Sequence, residues 1–475
     1  MMRKLYFIVI AILLSYSAQS QDTWDLEKCI NYAIQNSVDI KQANLSLEDA
    51  DVITKLNEQQ RLPSLSGSAS LQSSFGRSID AATNEFTTQN TINNSYGLNG
   101  GITLYNGGRL NNSIKQSKID AEALSEDKGS MIATVTLNVV NAYFEALFAR
   151  DNYGNVEIQL KSINDQIVQM KKLVAAGSRA QFEIYDLEAQ QATNEQQVTI
   201  AQNRIDLAML NLKGVMNLDP STEITLATPP TEQATYTDLD NVGIEDIYTR
   251  VAESRPELRA LDLRIKSGEV GVDIAQSAFY PNIGAGFNIG SAYSNRFTRP
   301  TGFGQEVVES NVLINGDPAV LGVNQPFVTG QERTPYFTQL DQLISYGVGV
   351  QVSVPIFNNY QAKGNKQRAQ LNLENLKVNK ERYIIDLRNI LGQFLTDAKA
   401  SKRNLEAADK VLQARQIAFD NAQKRYELGA INSFDYISIQ DQLNTARTDQ
   451  IIAKYDYMLK VKVLDFYQGY PVSLK

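Results

Sequence analysis

The apolar and polar positions of this chain follow two rhythms. Four short stretches alternate strictly. Leu65, Gly67, Ala69 and Leu71 alternate with Ser64, Ser66, Ser68 and Ser70, and Tyr96, Leu98, Gly100, Ile102 and Leu104 with Gly97, Asn99, Gly101 and Thr103. Ile283, Ala285, Phe287 and Ile289 alternate with Asn282, Gly284, Gly286 and Asn288, and Tyr346, Val348, Val350, Val352, Val354 and Ile356 with Gly347, Gly349, Gln351 and Ser353. A period of two sends successive side chains to opposite faces of a strand. Elsewhere the apolar positions step by three and four: Leu160, Ile163, Ile167, Met170, Val174; then Val198, Ala201, Ile205, Ala208, Leu212; then Leu405, Ala408, Leu412, Phe419, Ala422, Tyr426, broken by Arg415. Such stripes are coiled-coil seams. The stretch from Tyr360 to Leu428 contains no proline. As one helix it spans on the order of 100 Å, too long for an ordinary globular domain. Gly429 then stops it, being free to take positive φ at a helix C-terminus. A second helix starts near Phe434, which predicts a long helical hairpin with its tip at Gly429.

The pattern occurs twice. Asn36-Ser37-Val38-Asp39-Ile40 aligns with Ser254-Arg255-Pro256-Glu257-Leu258, and Pro63 with Pro281, at an offset of 218. Leu104-Tyr105-Asn106 aligns with Ile356-Phe357-Asn358, Gly177 with Gly429 and Phe182 with Phe434, at an offset of 252. The second half therefore carries 34 extra residues (252 − 218) between Pro281 and Ile356. A surface loop absorbs such an insertion most easily. The first repeat, 21–243, is expected to hold an opening helix from Leu26 to Gln60, a β-hairpin over 64–105 and a long helix over 109–176. A tip at Gly177, a return helix over 182–212 and a linker over 215–243 follow. The second repeat, 244–475, is expected to hold an opening helix from Ile244 to Phe279, a hairpin over 282–357 with a long polar loop, and a long helix over 360–428. A tip at Gly429 and a return helix over 434–466 complete it. An opening and a return helix end to end match one long helix in length.

The first twenty residues carry Arg3 and Lys4, an apolar run from Leu5 to Leu14, and small residues to Ser20. This predicts a secretory signal peptide over 1–20. The apolar run is shorter than the roughly twenty residues of a membrane-spanning helix. No other apolar run approaches a span, so a membrane is expected to be entered by strands. An apolar face opposite a small polar face suits a strand between lipid and a watery lumen. A soluble sheet with one wet face shares the alternation; the polar segments between the strands favour the membrane. Four strands cannot close a barrel, and an open edge in lipid leaves backbone groups unpaired at several kcal/mol each. Copies must share a barrel: two supply eight strands, three supply twelve.

Charge and composition narrow the function. The chain has 475 residues and a formal net charge of −8, or −10 without Arg3 and Lys4. That balance argues against nucleic acid. The chain has no histidine and one cysteine, Cys29, so the commonest general base and metal ligand is absent and no internal disulfide can form. We find no catalytic constellation, metal set or cofactor motif. Gly97, Gly100, Gly101, Gly107 and Gly108 are not followed by the Gly-Lys-Ser/Thr of a phosphate loop. Tyr96, Tyr105, Tyr346 and Phe357 fit an aromatic girdle or strand packing. Gln191 and Asn194 sit where the return-helix seam is expected to be apolar.

In order and spacing, the helix-to-strand prolines Pro63 and Pro281, the turns Leu104-Tyr105-Asn106-Gly107-Gly108-Arg109 and Pro355-Ile356-Phe357-Asn358-Asn359, and the tips at Gly177 and Gly429 resemble TolC-type outer membrane efflux proteins. The resemblance covers the whole mature length. It implies a mainly α chain with four transmembrane strands, assembled as a homotrimer with a twelve-stranded barrel and an α-helical tunnel. The implied protein is no enzyme but a passive export duct of the outer membrane of a Gram-negative cell, reaching into the periplasm. The implied partners are a periplasmic adaptor and an inner-membrane pump of the RND or ABC class. An alternative is a periplasmic coiled-coil adaptor or scaffold without a barrel. The resemblance further implies an acidic pore constriction six and nine residues after each tip glycine: Glu183 and Asp186, then Asp435 and Ser438, where serine replaces an acid. The family's basic gate position after the second tip is Ile431, while Arg179 holds the equivalent place in the first half.

Overall fold

The structure, a computed structural model, describes residues 23–79, 86–88, 90–227, 239, 242–314 and 316–469. The expected signal peptide, much of the linker and the last residues lie outside them. The elements in order are β1 (Thr23–Trp24), α1 (Leu26–Asn36), α2 (Val38–Gln59), β2 (Ser64–Ser74), β3 (Ser78–Ile79), β4 (Phe86–Thr87), β5 (Thr91–Asn106), α3 (Arg109–Ala175) and α4 (Phe182–Met216). There follow β6 (Thr225–Leu226), α5 (Ile244–Ser254), α6 (Pro256–Gln276), β7 (Asn282–Ser294), β8 (Thr298–Ile314), β9 (Asp317–Arg333), α7 (Tyr336–Gln342), β10 (Ser345–Ser353), α8 (Gln361–Glu427) and α9 (Ser433–Tyr467).

Two sequence expectations change. Each opening helix is broken in two. Ser37 turns the chain out of the helix (φ −56°, ψ 128°), and its Oγ accepts from Ile40 N–H, capping α2. Arg255 takes extended backbone (φ −72°, ψ 120°), because a residue before proline is pushed out of the helical region. Pro256 then starts α6, where its missing N–H costs nothing. The second change is the insertion. It is not an irregular loop but a paired hairpin, β8 with β9, followed by α7. Its β-branched run, Val307, Val308, Val312, Val320 and Val323, carries the strand propensity.

The chain forms two compact units, and neither is one of the sequence repeats. The first unit holds the described residues up to Val52, then Lys118–Ser267, then those from Leu373 onward. It is helical. α3 and α4 run antiparallel, tied by Lys171–Glu188 (3.2 Å) and by Gln191 donating to Asn164 (2.9 Å). α8 and α9 run antiparallel likewise, tied by Arg447 to Gln416 (2.8 Å) and Gln450 to Asp409 (3.0 Å). α3 also packs on α9: Asn155 donates to Thr448 (3.2 Å) and Tyr455 to Asp151 (2.5 Å). The polar seam position Asn194 is buried. Gln191 is thus a bonded coil residue, and such polar pairs set register at some cost in stability.

The main core of this unit gathers Trp24, Leu26, Cys29, Tyr143, Phe144, Leu147, Leu212 and Met216. An 18-residue window of α3 is apolar enough for a membrane span (mean hydropathy 1.4) and is half buried. Sequence reading gave no such span; Val139, Val140, Tyr143, Phe144 and Leu147 of α3 face this core instead. Burial pushes the Cys29 thiol up to about 12 and raises Tyr143 as well. The Tyr143 hydroxyl lies within 3.2 Å of Trp24 O and 2.9 Å of Ala227 O, bridging the ends of β1 and β6.

The second unit, Ile53–Ser117 with Gly268–Asn372, carries the sheet. Its order is β10-β7-β5-β2, antiparallel throughout, so β5 of the first half pairs with β7 of the second. The register stacks Leu98 opposite Ile289, Ile289 opposite Tyr346, and Ala285 between Ile102 and Val350. One face is therefore apolar: Leu65, Ala69, Leu71, Tyr96, Leu98, Ile102, Ile283, Phe287, Ile289, Tyr293, Tyr346, Val348, Val350 and Val352. The opposite face has serine, asparagine, glutamine, threonine, glycine and one alanine, with no charged residue on these four strands. The apolar face is open: Val348 is 88% exposed and Tyr346 83%. β2 and β10 each have a free edge.

The strand-to-helix turns show the repeat in backbone form. Gly107 and Gly108 have φ +68° and +81°. The residues 252 positions on, Asn359 and Tyr360, also take positive φ (51° and 70°). A Cβ on Gly107 would lie 2.6 Å from Ser277 O, so glycine is required there.

Candidate functional site

Each long helix ends in the same C-cap. Gly177 (φ +75°) and Gly429 (φ +72°) enter the left-handed region. Gly177 N–H donates to Val174 O and Ser178 N–H to Leu173 O; Gly429 and Ala430 donate to Tyr426 O and Arg425 O. This is the Schellman arrangement, which satisfies helix-end carbonyls that would otherwise lack donors. The apolar floor behind the tips is Ile163, Ile167, Met170, Ile184 and Leu187, with Tyr426 and Ile437 packed on it.

Arg179 sits just after the first tip. Its guanidinium lies 4.9 Å from the Tyr426 ring centre and donates to Tyr426 O (3.1 Å). It also pairs with Glu183 at 3.6 Å, with side-chain exposures of 19% and 11%. Tyr426 stacks on Tyr436 at 4.6 Å, and burial raises the Tyr426 phenol while lifting that of Tyr436 to about 12. Arg179 thus joins the tip of α3–α4 to the end of α8. Glu183, one of the pore-constriction candidates, is buried in this joint rather than open to solvent.

The other candidates lie elsewhere on the return helices. Asp186 and Ser438 line one open groove of about 810 Å³ among α4, α8 and α9, together with Gln190, Asp441, Thr445 and Asp449. Asp435 is exposed in the first turn of α9, where Asn432 caps its N–H at 2.8 Å; an acid there also complements the helix dipole. Asp441, though exposed, accepts from Gln190 at 3.5 Å at the groove wall, and the partial loss of water there raises its carboxyl above the ordinary carboxylate value. Among the described residues that line the groove, the one cation is Arg415, hydrogen-bonded to Gln442, against the three carboxylates Asp186, Asp441 and Asp449. Such a groove attracts cations and repels anions.

Sequence reading missed Asp441, Asp449 and the role of Tyr426. The signal was present: Ser438, Asp441, Thr445 and Asp449 step by three and four along one face of α9. Tyr426 read as an ordinary seam residue because a cation–π platform has the same spacing as a core position. Among the described residues, no cluster of potential metal ligands was found.

The family model described as "Outer membrane efflux protein" matches residues 29–218 and 247–469. The probable outer membrane lipoprotein SilC of Salmonella typhimurium is 20% identical over 453 residues, covering 93% of this chain and 84% of that protein. The cation efflux system protein CusC of Escherichia coli O157:H7 is 20% identical over 440 residues, covering 92% and 84%. A solved CusC structure superposes with a TM-score of 0.73 at 17% identity, covering 96% of each chain. These relatives support the outer membrane channel over a barrel-free adaptor or scaffold, and they belong to a family of conduits rather than of enzymes. With two matched segments spanning both halves, an open sheet and twin Schellman tips, this is an export channel of the outer membrane, and the chain belongs to the outer membrane efflux protein family.

Proposed function

We propose that three copies of this chain close their sheets into one twelve-stranded barrel and their helices into one tunnel, giving a passive duct with no enzymatic activity of its own. The observation that carries this reading is the four-stranded sheet with an exposed apolar face and two unpaired edges. In lipid those edges cost several kcal/mol per unpaired backbone group, so closure requires neighbours. On this reading the apolar face meets lipid and the uncharged face lines the lumen. The two halves, 21–243 and 244–475, act as tandem repeats, each giving one hairpin to the barrel and one tip to the periplasmic end.

At that end Asp186, Asp441 and Asp449, joined by Asp435, make the acidic lining of the constriction. With serine at 438, Asp441 supplies the carboxylate one turn further along the same helix face. Arg179 and Glu183 form a latch beside the pore, and the tip glycines Gly177 and Gly429 place it. A periplasmic adaptor and an inner-membrane RND or ABC pump supply capture and energy. CusC is named for cation efflux, and the acidic groove suits cationic cargo in the same way. The test is light scattering on detergent-extracted mature protein, with planar-bilayer conductance. A trimer that conducts, in the outer membrane fraction, is expected. A monomer without conductance overturns the reading.

A further inference from the structure

The apolar face of the sheet is not left bare at its hairpin end. α7 packs there. The Tyr336 hydroxyl bonds that of Tyr96 at 2.7 Å and accepts from Asn94 at 3.1 Å. The Tyr336 ring lies 4.5 Å from that of Tyr293, and Ser291 Oγ donates to Leu340 O at 2.6 Å. Asn94, Tyr96, Ser291 and Tyr293 all belong to the apolar face by register. Gln339, 1% exposed, fixes the helix by accepting from Ser294 N–H (2.9 Å) and donating to Thr334 O (2.8 Å). The helix therefore stands rigidly on the side of the sheet that the proposed function assigns to lipid.

Its outward surface is mixed, with Phe337, Asp341 and Gln342 exposed on the helix and Ile344 just after it. Phe337 is 81% exposed and Ile344, just past the helix, 54%. Asp341 is exposed and falls four residues after Phe337, on the same face. Beneath Ile344 an apolar recess of about 490 Å³ is lined by Ala69, Tyr96, Leu98, Ile289 and Ser291. Gly67 in its floor has nothing within 4 Å of where a Cβ would stand. A polar protein partner would leave this recess empty and Phe337 in water. A water-exposed position would do the same. The recess continues the apolar band formed by Leu98, Ile289, Phe287 and Val350, so the same solvent is expected to fill both.

We propose that α7 is an interfacial shelf that rests at the outer headgroup boundary of the bilayer, with a lipid acyl chain seated in the recess below Ile344. This rests on the membrane reading of the sheet. Asp341 keeps the shelf at the boundary, since a charge is tolerated near the interface but costs more with depth. Tyr96, Tyr293 and Tyr336 form the hydroxyl-tipped belt expected at that level. The shelf sets how deep the barrel sits, because the sheet below it cannot slide outward without drawing Phe337 and Ile344 into water.

The test uses the full mature protein in phosphatidylcholine vesicles with brominated or ordinary acyl chains. Ile344→Trp, Phe337→Trp, Val350→Trp and Phe303→Trp are each read as the difference from the parent, whose single tryptophan, Trp24, lies in the helical unit. Bromine is expected to quench Ile344→Trp, Phe337→Trp and Val350→Trp at least twofold and to leave Phe303→Trp on β8 unchanged. Quenching at Val350→Trp without quenching at either shelf position overturns the shelf and leaves the membrane sheet standing. No quenching at Val350→Trp overturns both.

Discussion

Replacing Arg179 with alanine tests the tip most directly. Three interactions end together: the pair with Glu183, the stack on Tyr426 and the bond to Tyr426 O. Glu183 then remains buried, with Oε2 lacking any hydrogen bond. Breaking one side of a buried ion pair costs about 3–5 kcal/mol because the partner charge stays uncompensated. A partly desolvated cation–π contact adds about 1 kcal/mol. Arg179 keeps a fifth of its side-chain surface and the pair stands at 3.6 Å, so screening by solvent brings the ion-pair share down to about 2 kcal/mol and the loss to about 3 kcal/mol in all. At about 1.4 kcal/mol per tenfold, local opening becomes roughly a hundredfold more frequent. Hydrogen exchange of the segments around Gly177 and Tyr426 reads this directly, and planar-bilayer conductance reads its effect on the pore. Exchange is expected to rise at both segments and conductance to increase. Adding Glu183→Gln removes the stranded charge and is expected to recover most of the protection. Unchanged exchange in Arg179→Ala refutes the latch. A double variant as labile as the single one refutes the electrostatic account of it.

Other expectations follow from local geometry. Gly107→Ala brings a Cβ to 2.6 Å from Ser277 O and adds strain at φ +68°; trimer yield and thermal stability are expected to fall sharply, whereas Gly101→Ala, with Ala285 O at 3.8 Å, is tolerated. Gly429→Val forces a β-branched residue to φ +72°, costing about 1–2 kcal/mol, and is expected to raise exchange at the second tip only. Because partial desolvation at the groove wall raises the exposed Asp441, its neutral form is slightly favoured in the fold. That contribution to stability is full at low pH and is lost as pH rises through the raised value. Cation selectivity runs the opposite way and is expected to weaken as pH falls towards the carboxylate range, with less pH dependence in Asp441→Asn, measured by reversal potential.

The strands were legible because each keeps one face apolar over several alternations, and the tips because glycine is the residue that takes positive φ cheaply. The helix breaks at Ser37 and Arg255 lay inside runs that kept their period, so the hydrophobic pattern passed over them. A serine cap and a proline at the first helical position were the available marks. The insertion was misjudged as a loop because its strands carry apolar residues on both faces, which hides alternation. The acidic candidates were found by analogy of position, and position alone does not say which way a side chain turns. Glu183 turns to Arg179 because a guanidinium stands one helical turn before it, a pairing legible at spacing four once its burial is known.

On the proposed trimer, selectivity resides in the helices rather than in the barrel. The sheet face assigned to the lumen holds no charge on its four strands. A wide wall of small neutral groups around water exerts little field on a passing ion, whereas carboxylates around a narrow path focus it. In a series conduit the narrow, charged segment sets the ratio of cation to anion flux. Gly349 allows a clean comparison, since nothing stands within 4 Å of its would-be Cβ and it lies on the neutral face. Gly349→Lys adds three like charges to the barrel per trimer, yet is expected to shift the reversal potential in a salt gradient only slightly. Asp441→Asn removes three from the groove and is expected to move it clearly towards zero. A larger shift from Gly349→Lys than from Asp441→Asn would place the selective segment in the barrel and refute the assignment.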